Sequence, residues 1–225
     1  MKIFRFLVLL ILPSFCSVSH AVLPPLEPSV EDPSTGLNVQ PGFEVELIYK
    51  VDKRKFGSWI AMAFDEKGLL TVSDQGGAGT FRLQVPKPGK AFDEGTIEKL
   101  NVKSSQWGML YAFDHLYMMG NRTLSRAPVL EDGGLGPTEV ICEMQGGGEH
   151  GPHSLIVSPD GKSLYAIAGN YTKLPKYNKT RIRDNWKDDY LLENYAYGHN
   201  GNGKAPGGWV IKLSPDGKER EVLNM

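Results

Sequence analysis

Cysteine is scarce in this chain of 225 residues, which contains only Cys16 and Cys142. Two cysteines cannot form a framework of several disulfides, and the pattern Cys-x-x-Cys-His of c-type haem attachment is missing. Cys142 could be a small buried residue of a strand or a reactive thiol. Its strand-like surroundings favour the buried role, so the chain itself offers no cysteine chemistry.

An excess of charge of one sign is also missing. Lys and Arg number 25 against 26 Asp and Glu, and the formal net charge is -1. The basic residues are scattered along the chain, which argues against nucleic acid or an anionic membrane as a partner. A neutral or weakly charged small ligand fits this composition better.

Long hydrophobic runs are absent as well. Lys2 and Arg5 precede an apolar run of seven residues, 6–12, and Ser19-His20-Ala21 forms a small-x-small cleavage site. The run is too short to span a bilayer. These features predict a signal peptide over residues 1–21, export to the periplasm or secretion, and no transmembrane segment. Cys16 lacks the small preceding residues of a lipobox, which argues against lipidation.

No segment shows a sustained helical repeat. Residues 22–41 are rich in Pro, Glu and Ser and are predicted to form an extended lead-in. Residues 42–225 consist of short apolar or alternating segments broken by Gly, Asp, Asn and Pro. This pattern is typical of an all-β chain.

Three similar hairpins recur in the β region, over residues 60–72, 108–119 and 154–167. Their first strands end at Phe64, Phe113 and Val157, which are 49 and 44 residues apart. Two further strands can complete each unit, and four strands per unit at a period near 45 residues belong to β-propellers. The sequence therefore predicts three four-stranded blades. A leftover strand at 43–50 could close the ring by pairing with a last blade that is not in this sequence. Because closed propellers typically have about 4–8 blades, we expect a truncated chain.

Two loops of the third unit are expected to meet at one end of the propeller channel. One is residues 145–153, which enters the innermost strand, and the other begins at Gly169-Asn170 and continues as a long insert, 171–207. Gln75 and Asn121 follow the corresponding strands of the other two units. The topology thus predicts a polar pocket at the channel mouth.

His150 and His153 are the candidate chemical groups of this pocket. They lie among glycines and a proline, where a side chain can face a ligand. A histidine there can act as a general base near neutral pH, but both could equally be surface loop residues. Metal ligation by the pair is a weaker alternative, because no further ligand cluster accompanies it. The mixed-charge insert is either a solvated loop or a lid over the pocket.

The segment 148–170 resembles the part of pyrroloquinoline-quinone-dependent soluble sugar dehydrogenases in which a His precedes a Gly-Pro-Asp-Gly hairpin that ends in Gly-Asp. It is also similar to exported sorbosone-dehydrogenase-like or haem-binding propellers, as are residues 41–45, 184–186 and 205–209. The resemblance implies a six-bladed propeller and hydride transfer from a sugar or alcohol to a quinone, with His150 as the general base. His153, Asn170 and Gln75 are then expected to contact the cofactor.

The chain departs from that family at two positions, since Asn170 replaces an Asp and Ser154 replaces an Arg. The resemblance places most cofactor anchors and the calcium ligands after Met225, so we expect this chain to be inactive alone. It also implies a c-type cytochrome as a possible electron acceptor. The alternative is a non-catalytic propeller module that binds carbohydrate or protein, as many propellers do.

Overall fold

The computed structural model describes residues 30–32, 36–146, 150–182 and 208–225. The predicted signal peptide and residues 183–207 of the insert lie outside the described residues. Within the described ranges, the structure contains no helix with the length and apolar character needed to cross a membrane. The chain divides into two units, residues 1–45 and 46–225.

The first unit contains a small antiparallel hairpin of β1 (Val30–Asp32) and β2 (Leu37–Val39). This hairpin lies in the segment for which we predicted an extended lead-in. Residues 43–50, predicted as a strand that could pair with a blade outside this sequence, form no strand in the structure. Phe43 and Leu47 are 74% and 76% exposed. The apolar residues that suggested a strand therefore face solvent instead of a neighbouring strand.

The second unit is a succession of antiparallel sheets, which we call blades one to three. After a single helical turn, α1 (Lys53–Phe56), blade one has the strand order β3 (Trp59–Phe64), β4 (Leu69–Asp74), β5 (Thr80–Gln84) and β6 (Glu98–Leu100). Blade two has the order β7 (Gln106–Ala112), β8 (His115–Gly120), β9 (Thr123–Pro128) and β10 (Glu139–Glu143). Each is a four-stranded meander, as the sequence predicted.

Blade three is interrupted and extended. A short strand, β11 (Gln145–Gly146), precedes β12 (Pro152–Val157) and β13 (Leu164–Gly169), and β11 pairs with β14 (Thr172–Lys173). The blade order is β12, β13, β16 (Gly208–Leu213) and β17 (Arg220–Asn224), with β15 (Lys179–Thr180) added parallel to β17. The described part of the chain is thus an all-β partial propeller of three blades.

Neighbouring blades pack face to face. We call the face of a blade toward the preceding blade its leading face, and the face toward the following blade its trailing face. Between blades one and two, Ala61 and Ala63 pack with Met109, Leu116 and Met118. A larger core between blades two and three contains Met119, Leu124, Cys142, Leu155, Trp209 and Leu213, all of them buried.

Polar groups also join the blades. Tyr111 of blade two and Thr71 of blade one share a hydrogen bond of 2.8 Å. The Tyr117 hydroxyl, which is fully buried, donates to the main-chain oxygen of Pro215 in blade three at 2.8 Å. Burial raises the pKa of Tyr117, and its hydrogen bond with Arg126 acts in the opposite direction. The phenol therefore stays protonated and keeps its role as a donor.

The strand registers show which residues are equivalent in the three blades. The residues Phe64, Tyr111 and Val157 pair with Leu70, Leu116 and Leu164, respectively, so they occupy the same position. They are 47 and 46 residues apart, a more even period than the predicted 49 and 44. The predicted spacing rests on Phe113, which lies in the turn with a positive φ of 49°. Hydropathy alone extended that strand by one residue beyond Ala112.

Candidate functional site

The candidate site is the end of the blades where the inner strands begin and the second strands end. In the three blades Trp59 pairs with Asp74, Gln106 with Gly120, and Pro152 with Ala168. Because the strands are antiparallel, the loops that enter the inner strands lie at the same edge as those that leave the second strands. We call this edge the mouth.

Each inner strand has a β-bulge at its second residue. Ile60, Trp107 and His153 have no residue opposite them, because the register shifts between their neighbours in all three blades. A bulge releases one residue from the ladder and re-aims its side chain. The three bulges therefore present one equivalent residue per blade at the mouth.

Two of these bulge residues contact each other. The rings of Trp107 and His153 meet edge to face, with their centroids 6.1 Å apart. The Trp107 indole N–H donates to the Asn121 side-chain oxygen at 2.6 Å. A Cβ atom on Gly108 would lie 2.0 Å from the main-chain oxygen of His153. Glycine at 108 is therefore what lets the inner strands of blades two and three approach closely enough for this ring contact.

His150 lies on the other side of the blade-three entrance. It is half-buried, and its ring centroid is 5.0 Å from that of Tyr171. Its main-chain oxygen accepts the Tyr171 N–H at 2.9 Å. A Cβ on Gly169 would lie 2.4 Å from the same oxygen. The turn Gly169-Asn170-Tyr171 thus packs directly on His150 and holds it at the mouth.

Gln75 occupies the equivalent turn of blade one, where its side chain is exposed. Its main-chain oxygen accepts the Ser105 hydroxyl at 2.9 Å, and its N–H donates to the Ser58 main-chain oxygen at 2.8 Å. The preceding Asp74 is buried and accepts the Ser58 N–H at 2.6 Å and the Ala78 N–H at 2.8 Å. These bonds fix the loop that carries Gln75.

The Asp74 carboxylate is ionised despite its burial. Burial alone would raise its pKa, but main-chain N–H donors outweigh that effect and hold the pKa below the usual 3.8; the donors belong to Ala78, Ser58, Gly76 and Gln75. Asp74 therefore organises the blade-one turn as a buried anion and does not act as a proton donor near neutral pH.

Two contacts at the mouth involve predicted site residues. His150 lies against the turn that contains Asn170, and His153 contacts Trp107. Gln75 is at the same end of the fold, in blade one. The sequence analysis missed Trp107 and Tyr171. Aligning the three hairpins on their paired residues would have identified Trp107, because it then falls at the position of His153.

A cleft with a volume of about 760 Å³ lies elsewhere, between the outer strands of blades two and three. It is lined by Arg122, Lys173, Lys176 and Arg220 and by one carboxylate, Glu143. None of His150, His153, Asn170 or Gln75 lines it. The candidate general base lies at the mouth and not in this cleft.

The described mouth residues fit a quinone cofactor only in part. They offer hydrogen-bonding amides, two histidines and the flat rings of Trp107 and Tyr171. No Lys or Arg belongs to the set of Gln75, Trp107, Asn121, His150, His153 and Asn170, although a quinone with carboxylate groups needs cationic partners. In the parts of the chain that the structure describes, no three His, Cys, Asp or Glu side chains are grouped to hold a metal ion.

No protein-family model and no curated protein sequence matches the chain. Several solved structures are similar to it, among them the following two. One is a putative oxidoreductase (glucose dehydrogenase) from Thermus thermophilus, with 17% identity, a TM-score of 0.43, and coverage of 71% of this chain and 44% of that chain. The other is the PQQ-bound form of an aldose sugar dehydrogenase from Streptomyces coelicolor, with 19% identity, a TM-score of 0.42, and coverage of 71% and 45%. The chain thus matches less than half the length of either structure.

Proposed function

We propose that this chain is the part of a propeller dehydrogenase that carries the general base, His150, and that the protein oxidises a hydroxyl group of a sugar or another alcohol. The observation that carries the proposal is the placement of His150. It is half-buried at the mouth, while its main chain is held by the turn that contains Asn170. The resemblance of residues 148–170 to sugar dehydrogenases supports the same role.

The chemistry asked of His150 is the removal of one proton. Its imidazole would take the hydroxyl proton of the substrate as the carbon that bears this hydroxyl loses a hydride and becomes a carbonyl carbon. Pyrroloquinoline quinone, when bound, supplies the acceptor for that hydride. The contact with Tyr171, at 5.0 Å between ring centroids and an interplanar angle of 45°, orients the imidazole ring.

The other mouth residues would bind and orient the substrate or the cofactor. Trp107 offers a flat ring on which the apolar face of a sugar can stack, and His153 supports that ring from its edge. Asn170 and Gln75 would donate hydrogen bonds to the cofactor or substrate. We propose, from the resemblance of residues 148–170, that the cationic anchors of the cofactor come from blades outside this chain.

The test is turnover by the full product of the gene, supplied with pyrroloquinoline quinone, calcium and an artificial electron acceptor on mixed aldoses and alcohols. We expect His150→Ala to lower kcat by about 10²–10⁴-fold. His115→Gln is the matched control, since His115 lies at the opposite end of blade two and contacts its own turn at Phe113. Unchanged turnover in His150→Ala would refute the proposed base.

A non-catalytic carbohydrate-binding module is the second candidate. It is favoured by the neutral, aromatic character of the described mouth, where Trp107 and Tyr171 accompany side-chain amides. In that case the well-folded protein would bind a sugar, and Trp107→Ala would abolish binding, but no cofactor would bind. Equilibrium dialysis with quinone and with sugars separates the two functions.

We also propose that the protein acts outside the cytoplasm and passes electrons to a c-type cytochrome. The signal-like residues 1–21 support export, and the resemblance supports the acceptor. Mass spectrometry of the protein recovered from the periplasm or medium should show an N-terminus at Val22. A mature protein that retains residues 1–21 would contradict export by this route.

A further inference from the structure

The cleft between the outer strands of blades two and three gathers positive charge that is dispersed along the sequence. Its volume of about 760 Å³ is within the usual range of small-ligand sites. One carboxylate, that of Glu143, faces four cationic side chains in its lining; they belong to Arg122, Lys173, Lys176 and Arg220. Because the whole chain has a formal net charge of -1, the cleft is opposite in sign to the chain that forms it.

The two arginines of the cleft differ from the other described arginines in having no carboxylate partner. Outside the cleft, every described arginine forms an ion pair: Arg54 with Asp52, Arg82 with Glu98, Arg126 with Glu139, and Arg181 with Glu221. In the part of the chain that the structure describes, none of the four cleft cations forms an ion pair. Their positive charge is thus not neutralised by a protein carboxylate.

Main-chain groups hold the Arg220 guanidinium in place. It donates to the main-chain oxygen of Ile141 at 2.8 Å and to that of Lys176 at 3.2 Å. Its Nε atom is buried, and no acceptor among the described residues bonds it. Neutral carbonyl oxygens accept hydrogen bonds but do not neutralise a guanidinium, which stays charged in proteins. Arg220 therefore supplies a fixed positive charge to the cleft.

The segments that carry the other cations are also held by main-chain pairing. The Arg122 main-chain oxygen accepts the Met144 N–H at 2.7 Å, and Lys173 pairs with Gln145 in the ladder of β11 and β14. The side chains of Arg122, Lys173 and Lys176 are exposed. These side chains can therefore close on a ligand without a change in the strands beneath them.

We propose that this cleft binds a small anion that carries two or more phosphate or sulfate groups. Arginine and lysine are the partners of such groups in proteins, and one guanidinium can bond two of their oxygens at once. The excess of cations over the single carboxylate favours a ligand with more than one negative charge. No aromatic ring is among the lining residues, which argues against the stacked bases of a single-stranded nucleic acid.

Anion binding in this cleft is separate from the chemistry proposed for the mouth. The cleft lies between two described blades, and none of the mouth residues lines it. Its binding can therefore be present or absent whatever the outcome for the His150 base, and the readout below is affinity and not turnover.

The test is isothermal titration calorimetry of the full product of the gene with pyrophosphate, at constant ionic strength and without added metal ions. We expect pyrophosphate to bind, and the double variant Lys173→Gln/Lys176→Gln to bind it at least about tenfold more weakly. Lys87→Gln/Lys90→Gln is the matched control, because it removes two exposed lysines with the same spacing from a loop of blade one. This control should leave the affinity unchanged.

Two variants of Arg122 test whether its planar guanidinium contributes more than charge. We expect Arg122→Ala to weaken pyrophosphate binding at least about tenfold and Arg122→Lys to restore only part of it. Titrations with inositol hexakisphosphate and with sucrose octasulfate show whether phosphate or sulfate groups bind more tightly. If none of these three anions binds, or if Lys87→Gln/Lys90→Gln weakens binding as much as Lys173→Gln/Lys176→Gln, the proposal is overturned.

Discussion

At the scale of single residues, two carboxylates make the stability of the fold depend on pH. Asp74 is buried among main-chain N–H donors that hold its pKa below 3.8. Asp216 accepts the Ser214 hydroxyl at 2.6 Å and the Lys218 N–H at 3.2 Å. The Ser214 hydroxyl, with that N–H and with the Lys218 side chain, lowers the pKa of Asp216 from 3.8 to about 2. Both groups bind protons less readily in the folded state than in the unfolded state.

We therefore predict that both residues stabilise the fold above about pH 3.8 and that the stabilisation from Asp216 disappears as the pH falls toward 2. Because the Asp216 side chain is 40% exposed, its share is discounted for screening to roughly 1 kcal/mol. Urea unfolding at about pH 7, 4 and 2.5 tests this. Asp216→Asn should be less stable than the natural chain near pH 7 and nearly equal to it near pH 2.5.

The exposed Glu131 supplies the control, since Glu131→Gln should leave the pH dependence of unfolding unchanged. If Asp216→Asn and the natural chain lost stability in parallel as the pH fell, the Asp216 carboxylate would not be a source of acid sensitivity. Asp74→Asn tests the buried group in the same way. Its N–H donors would lose a charged acceptor, so a loss of about 1–3 kcal/mol is expected near pH 7.

At the residue scale, the sequence predicted candidate site residues from their type and from the loops that carry them. His150 and Asn170 were identified from glycine-rich loops at strand ends, and the structure places them on adjoining turns. Trp107 was missed because its position depends on a bulge, and a one-residue register shift leaves no mark in hydropathy. The burial of Asp74 could not be predicted either. Its hydrogen-bond partners are main-chain groups, and their residues share no side-chain pattern in the sequence.

At the scale of elements, two turns have the same sequence and the same internal hydrogen bond but different surroundings. Ser158-Pro159-Asp160-Gly161 and Ser214-Pro215-Asp216-Gly217 both bond the serine hydroxyl to the aspartate, and both end in a glycine with φ of +68°. Gly161 has open space around it, whereas a Cβ on Gly217 would lie 2.5 Å from the main-chain oxygen of Ile141. The second turn is packed on blade two and the first is not.

The two turns predict that replacing the glycine with alanine lowers the free energy of unfolding by different amounts. Gly161→Ala places alanine in a left-handed conformation and should cost about 1 kcal/mol. Gly217→Ala adds a collision with main chain of the neighbouring blade, so its total cost should reach about 2–4 kcal/mol. Thermal unfolding of both variants measures the difference. Equal losses would show that the Ser214 turn does not dock on blade two as described.

Most strands were predictable because tight turns flank alternating apolar residues, and the three hairpins lie where the sequence placed them. The short strands β11, β14 and β15 were not predicted, because two residues carry no readable period. The segment 43–50, predicted to pair with a blade outside this sequence, forms no strand. Its residues have the composition of a strand, but composition does not supply a hydrogen-bonding partner.

At the scale of the whole molecule, Gly108 controls how closely blades two and three approach. A Cβ there would meet only main chain of the next blade, at 2.0 Å from the oxygen of His153 and 3.3 Å from Cα of Ser154. The core that these blades share includes Cys142, which is 2% exposed. Burial raises the pKa of its thiol, so the folded chain protects Cys142 from alkylation.

We predict that Gly108→Ala costs about 2–3 kcal/mol and speeds alkylation of Cys142 under native conditions, because the two blades separate more readily. The rate can be followed by mass spectrometry of the peptide that contains Cys142. Gly120→Ala is the matched control in the same blade, where the nearest atom is the flexible Gln106 side chain at 3.2 Å. Equal alkylation rates in the two variants would contradict the role of Gly108.

The repeated bulge has a consequence for altering this protein. Ile60, Trp107 and His153 differ widely in chemistry, yet the register shift around each is the same in all three blades. The bulge therefore does not depend on the residue type at this position. A combinatorial library confined to these three positions could be selected for new ligands while the scaffold stays constant, much as loops are varied on an antibody framework.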